Sequence, residues 1–365
     1  MRISAPLLAL FALAAAAAAA DFNWNLPPGF PKPAVPAANP MSEAKVELGR
    51  YLFYDARLSF NGKESCATCH KQALAFTDGR AHAEGTTGQL HPRSSMSLVN
   101  VAYATSLTWE NPALTSIEEQ ALGPMLNDEP VELGLKGHEP EFLDKLRQEP
   151  VYGRLFPLAF PGETEVYTLT NVTKALAAFE RTIISMRSPY DRYRWGGDMA
   201  AISDAAKRGE LIFSSSEKGR CFRCHDGWNF SSVRYEGSPS RVSGTPDTPG
   251  LRDFFNTGVA LYAVPNRGAY EYTKRPEDVG KFRAPTLRNI AVTAPYMHDG
   301  SLATLEDVIE HYVAGGKYGD ANKSRILQPL KLSDGDKKDL VEFLKSLTDE
   351  ELLRDTRWSN PWVKP

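Results

Sequence analysis

The chain has 365 residues, with 42 Lys+Arg against 45 Asp+Glu and a formal net charge of −3. That length holds one large domain or two of ordinary size, and 42% hydrophobic content with 10% aromatics excludes wholesale disorder. A near-neutral balance without a basic run gives no electrostatic footprint for nucleic acid, so no nucleic-acid partner is expected.

At the N-terminus, Arg2 precedes the unbroken apolar run Pro6 to Ala20, which ends in Ala18-Ala19-Ala20 before Asp21. This pattern predicts a cleaved secretory signal peptide over residues 1–20. The run is too short and too Ala-rich for a membrane span, and no other stretch approaches that length. An exported, periplasmic protein with no span after cleavage is expected. Residues 21–40, with the Pro-rich NLPPGFPKPAVP, read as an extended arm.

The four cysteines fall in Cys66-Ala-Thr-Cys69-His70 and Cys221-Phe-Arg-Cys224-His225. Each is C-x-x-C-H, the attachment signature of c-type haem. The two-residue gap lets both thiols reach one porphyrin, and the adjoining His then lies beneath the iron. An exported protein with four cysteines would otherwise suit disulfides, but a His directly after each pair fits neither disulfides nor a zinc site. Two covalently bound haems are predicted, through Cys66 and Cys69 with His70, and through Cys221 and Cys224 with His225.

The segments leading to these sites repeat. Gly49-Arg-Tyr-Leu52-Phe53 precedes the first and Gly209-Glu-Leu-Ile212-Phe213 the second, with apolar residues at i+3 and i+4 on one helix face. Period-2 alternation is scarce. The expected fold is therefore mostly α with few strands: two c-type cytochrome-like haem domains related by duplication, spanning 41–187 and 200–350, with a C-terminal tail at 351–365. Between the two C-x-x-C-H sites a helix is expected over Asn171–Met186, with Val172, Leu176, Phe179, Ile183 and Ile184 along one face, and Arg187–Met199 reads as a polar break. Ser333 and Asp336 form a capping-box pattern ahead of Leu340, Val341, Leu344 and Leu347.

Axial ligation separates an electron carrier, with both irons closed, from a peroxide-using enzyme, with one distal face open beside an acid/base group. Closure of the first iron would require His82 or His91. The stretch Lys281-Phe-Arg-Ala-Pro285-Thr-Leu-Arg288-Asn289…Ala294-Pro295-Tyr296-Met297-His298 resembles the bacterial di-haem cytochrome c peroxidase and MauG superfamily. In that superfamily the residue fourteen positions beyond the P-Y-x-H histidine is Met in ordinary peroxidases and Tyr in MauG-like enzymes. Here it is Tyr312, which shares a helical face with Leu305, Val308 and Ile309.

The resemblance implies an oxidoreductase with Tyr312 as ligand of the second haem and His298 among the catalytic residues. It places Gln120, Pro124 and Glu132 around the open side of the first haem, with Glu129 the alternative acid because two extra residues intervene after Asn127. It sets Trp109 between the haems as an electron relay. It also implies one calcium ion, although Ser94 stands where the family has Asn. TWENP followed by PVELGLKG is most similar to the MbnH subfamily, which oxidises a Trp on a copper-binding partner. The expected function is peroxide-driven oxidation, through high-valent haem iron, of an aromatic residue on a periplasmic partner protein. The alternatives are hydrogen peroxide detoxification with electrons from a small redox protein, and non-catalytic electron transfer.

Overall fold

The computed structural model describes residues 22–232, 253–260, 266–319 and 321–363, so the expected signal peptide lies outside the described residues. Among the described residues the fold is mostly helical. Its one sheet pairs Phe254–Phe255 with Phe282–Arg283 in antiparallel register. No described helix is long and apolar enough to cross a membrane.

Two helix crossings organise the chain. In the first half, Glu43–Phe53 crosses Leu169–Arg181. Gly49 sits at the contact, where a Cβ would stand 1.9 Å from the Ala175 carbonyl oxygen and 2.8 Å from Phe179 Cβ. In the second half, Asp204–Ser214 crosses Asp334–Lys345. Gly209 occupies the same place, its absent Cβ 2.0 Å from Asp339 O and 2.7 Å from Phe343 Cβ. Four residues past each glycine the aromatic contacts repeat. Phe53 meets Phe179 at 5.1 Å and 58°, and Phe213 meets Phe343 at 5.1 Å and 56°.

The register continues beyond each second helix. Asn100 takes a left-handed conformation (φ 59°), donates its N–H to Ile183 O and accepts on Oδ1 from Ser185 N–H. Asn289 (φ 61°) likewise donates its N–H to Leu347 O and accepts on Oδ1 from Asp349 N–H. Ala175, Phe179, Ile183 and Ser185 thus correspond, at identical spacing, to Asp339, Phe343, Leu347 and Asp349.

Two sequence expectations are revised. The helix expected to run to Met186 ends at Arg181. The β-branched run Thr182-Ile183-Ile184 leaves the helix where Asn100 offers its backbone other partners. The supposed break at Arg187–Met199 contains a helix, Pro189–Arg194, with Pro at its start and a Ser188/Asp191 capping box. Asp191 is buried in a two-pronged ion pair with Arg288, at 2.8 and 2.9 Å. The tail past 350 packs on the first half. Leu352 and Trp358 join its core, and Trp362 donates its indole N–H to Tyr51 O.

The arm spans both halves. Tyr103 donates to Pro31 O, and Phe30 packs against Trp195 and Trp228.

Gly49→Ala should destabilise the protein by roughly 1–3 kcal/mol, as overpacking against backbone does. Gly153→Ala, where nothing lies within 4 Å of the added Cβ, should be stabilising by about 0.5–1 kcal/mol. Denaturant unfolding of both variants checks the pair, and similar losses at the two sites would refute the close-crossing account.

Candidate haem sites

The two C-x-x-C-H segments are built alike. Each motif turns back on itself, with His70 N–H donating to Cys66 O and His225 N–H to Cys221 O. The backbone of Ser65 donates to Thr68 Oγ1, fixing the first turn from within the motif. None of the four cysteines forms a disulfide.

His70 Nδ1 lies 2.8 Å from Phe76 O, and His225 Nδ1 lies 3.1 Å from both Phe230 O and Pro285 O. A carbonyl accepts only, so Nδ1 carries the proton in each ring and Nε2 presents its lone pair. Burial holds both imidazoles below their ordinary pKa, keeping them neutral as metal ligation requires. Each motif opens on a cavity. Paired thiols, a neutral His of the correct tautomer and an adjoining cavity fit a haem at both places.

The first cavity is lined by Cys66, Cys69 and His70, and by Gln120, Pro124 and Glu132. Glu132 is held there by its backbone. Its carbonyl accepts from Thr86 N–H, and the following Leu133 N–H donates to Pro124 O. Gly85 permits this approach, since a Cβ on it would fall 1.9 Å from Val131 O. Burial pushes the Glu132 carboxyl up to about 7, against the downward pull of Arg93. Glu129 is exposed and outside this wall.

His91 also lines the first cavity, accepting on Nδ1 from Arg93 N–H, whereas His82 is exposed and turned toward His91 O. One wall residue escaped the sequence reading. Glu180 is buried at 6% exposure on the cavity-facing side of Leu169–Arg181. The signal was present: an acid lies among Val172, Leu176, Phe179 and Ile183 on an apolar helix face.

The second cavity is lined by Cys221, Cys224 and His225, with Tyr312, His298, Met297 and Met96 in the same wall. Tyr312 comes from the helix Leu305–Val313, whose Thr304/Asp307 capping box sets its start. The neighbouring His311 points elsewhere, with Nε2 2.9 Å from Thr257 O. His298 is buried and stacked on Phe282 at 3.7 Å and 16°, and burial lowers its pKa to about 4. Met96 Sδ accepts from Arg283, which leaves Met297 as the other thioether facing this space.

Trp109 and Ser94 bring the first half into this second wall. The Trp109 indole N–H donates to Ser94 O at 2.9 Å, and Ser94 in turn donates its N–H to His298 O and its hydroxyl to Met297 O. Trp109 is therefore two hydrogen bonds from His298. Ser94, the position tied to calcium by resemblance, is engaged with these carbonyls. Among the described residues no group of three or more His, Cys, Asp or Glu is arranged to hold a metal ion.

If Glu132 serves as a base, its carboxylate form must be present, and that form grows as pH rises through about 7. The rate of reaction with peroxide should rise over the same range in stopped-flow measurements. Glu132→Gln should lower that rate by about 10²–10⁴ and remove the rise, while Glu129→Gln should leave both within a few-fold. A rate in Glu132→Gln close to wild type would remove it from the chemistry.

Comparison with known proteins agrees with this geometry. A family model described as di-haem cytochrome c peroxidase matches residues 43–199. The chain is 38% identical to cytochrome-c peroxidase IdrP1 of Denitromonas iodatirespirans, over 95% of this chain and 94% of that protein. It is 35% identical to the methylamine utilization protein MauG of Methylorubrum extorquens, over 86% and 81%. A solved structure of a MauG-like protein associated with microbial copper homeostasis matches with a TM-score of 0.86 at 41% identity, covering 94% of this chain and all of that one. The di-haem peroxidase BthA from Burkholderia thailandensis, at 20% identity and a TM-score of 0.67 over 88% of this chain and 90% of that one, shares the fold.

Proposed function

The chain belongs to the di-haem cytochrome c peroxidase family that includes MauG, and from that premise we propose that it is a MauG-like enzyme. Its oxidant is hydrogen peroxide. Its substrate is an aromatic residue, a Trp, on a periplasmic partner protein. We further propose that residues 41–187 and 200–350 are haem c domains related by duplication, each holding its haem through thioethers. The matched contacts at Gly49 and Gly209 support this. The observation that carries the functional reading is Tyr312 in the wall of the second cavity while His311 is bonded to Thr257 O.

The haem irons supply the redox chemistry of peroxide cleavage and charge storage. The chain's own residues do the rest. On the His70 side, Glu132 takes the proton from one peroxide oxygen and returns it to the other, while Gln120 and Pro124 shape the wall that confines the peroxide. On the His225 side, Tyr312 would help hold the second haem, and an anionic phenol oxygen there would lower its reduction potential relative to a thioether. That disfavours acceptance of electrons from a small cytochrome and favours sharing of oxidising equivalents. Trp109, bonded through Ser94 toward His298, bridges the two sites as the electron relay. Because the partner's electrons travel through the protein, the substrate stays at the surface. The match to a MauG-like protein associated with copper homeostasis supports a copper-binding protein as that partner.

A second reading is peroxide detoxification with electrons from a small redox protein. It is favoured by Met297 in the same wall and by the identity to IdrP1, named a cytochrome-c peroxidase. Electron paramagnetic resonance of the fully oxidised protein separates the two. One high-spin and one low-spin haem should both lose their ferric signals on one equivalent of peroxide, without prior reduction. Tyr312→Phe should change the low-spin spectrum. Inertness to peroxide until one haem is reduced would establish the detoxifying peroxidase instead, and an unchanged spectrum in Tyr312→Phe would remove it as a ligand.

A further inference from the structure

The two halves permit an internal comparison at the wall of each haem cavity. Ala175, Phe179 and Ile183 correspond to Asp339, Phe343 and Leu347 by their matched contacts. In the same register Leu176 corresponds to Leu340, and Glu180 to Leu344. All four line their respective cavities. The helix crossing therefore delivers one side chain to an equivalent place in each half. The His225 side has an apolar leucine there, which satisfies every packing requirement of the position. The His70 side has an acid, buried at 6% exposure, whose Oε2 has no hydrogen-bond partner.

Such a group is costly, because a buried carboxyl oxygen without a partner loses its hydration and gains no bond in return. The leucine at the equivalent place shows that the fold does not require it. We propose that Glu180 is a second proton-holding acid of the peroxide pocket, which supplies one of the two protons consumed when peroxide is reduced. This rests on the reading of the His70 side as the peroxide site.

The balance requires such a group. Reduction follows H2O2 + 2 H+ + 2 e− → 2 H2O: the O–O bond breaks, two O–H bonds form, and two electrons come from the partner protein. Glu132 only relocates a proton that peroxide already carries. The net protons must enter a buried pocket from elsewhere. Glu180 releases its carboxyl proton to a product oxygen and regains one from solvent.

The surrounding charges leave it protonated at neutral pH. Arg181, next along the helix, is turned to Glu118 in a two-pronged pair at 2.8 Å, and so does not neutralise Glu180. Cys66 lies close by, and His70, His91, Glu64, Glu84 and Glu132 share the cavity. Burial, with Glu118 adding to it and Arg181 opposing, raises the Glu180 carboxyl to about 8.

The test uses the haem-loaded protein and two independent readouts. For a carboxyl raised in the folded state, stability falls as pH rises from the unfolded value toward the folded one, because the unfolded chain ionises first. The Tm of Glu180→Gln minus that of wild type should therefore widen from pH 5 to about 8 and level off above. In stopped flow, the rate at which ascorbate reduces the peroxide-oxidised wild-type protein should fall as pH rises through about 8. Glu180→Gln should be slower and lack that fall, and Glu180→Asp should restore it. Glu180→Leu, which repeats the arrangement at Leu344, should fold and behave as Glu180→Gln. A pH-independent Tm difference, or a descending limb that survives in Glu180→Gln, overturns the proposal. An unchanged rate of reaction with peroxide in Glu132→Gln would instead bring down the peroxide-site reading, and with it the proton-supply role.

Discussion

The architecture depends on two helix pairs that touch backbone to backbone. Such contact is possible only where one helix has no Cβ, and the chain meets the requirement twice, at Gly49 and Gly209. Everything near the haem cavities inherits its position from these contacts. Four residues on, each leading helix presents a Phe to the Phe of its partner. The partner helix is thereby fixed in rotation, and its next residue, Glu180 or Leu344, is directed to the cavity. A close crossing also stiffens the wall, because helices in direct backbone contact cannot slide without collision.

The junction between the halves is polar rather than greasy. Ser185 and Asp349, the two residues gripped by the paired asparagines, also bond to each other, and Asn289 reaches across to Ser185 Oγ. Asp349 Oδ2 additionally accepts from the backbone of Met186 and Arg187. Buried polar groups bonded in this way tolerate little displacement, since each broken bond leaves a donor or acceptor without water. The tail reinforces the arrangement by returning from the second half to the first core. An electron relay benefits from such a joint, because its efficiency depends on distances that must not drift.

Much of this was legible from residue pattern. Both C-x-x-C-H motifs line a cavity, and the Gly-x-x-apolar-apolar repeats mark both crossings. The capping box at Ser333 marked its helix start correctly. What escaped was decided by tertiary partners. Asn100 draws the chain out of its helix after Arg181 through backbone bonds made across some eighty residues, and no local signal announces that. The segment that contains Pro189–Arg194 reads as a break because it is polar and bears Pro and Gly. Asp191 is instead the buried counter-ion of Arg288, and the S-P-Y-D capping pattern was the overlooked clue. Glu180 is masked for the opposite reason, since it lies among Val172, Leu176 and Phe179 on an otherwise apolar face.

The two halves therefore share a scaffold and differ in the chemistry placed on it. The His70 cavity carries the raised carboxyls of Glu132 and Glu180, groups that exchange protons near neutral pH. The His225 cavity has Leu344 where the first has Glu180, together with Tyr312 and a His298 that burial keeps neutral. Cleaving an O–O bond needs mobile protons, whereas holding charge at a distance needs their absence, because each proton transfer offers a route by which the stored charge is lost. One pocket serving both demands would have to be wet and dry together. Placing the two sets of groups on two similar helix pairs separates the demands, and the polar joint holds the halves in fixed register.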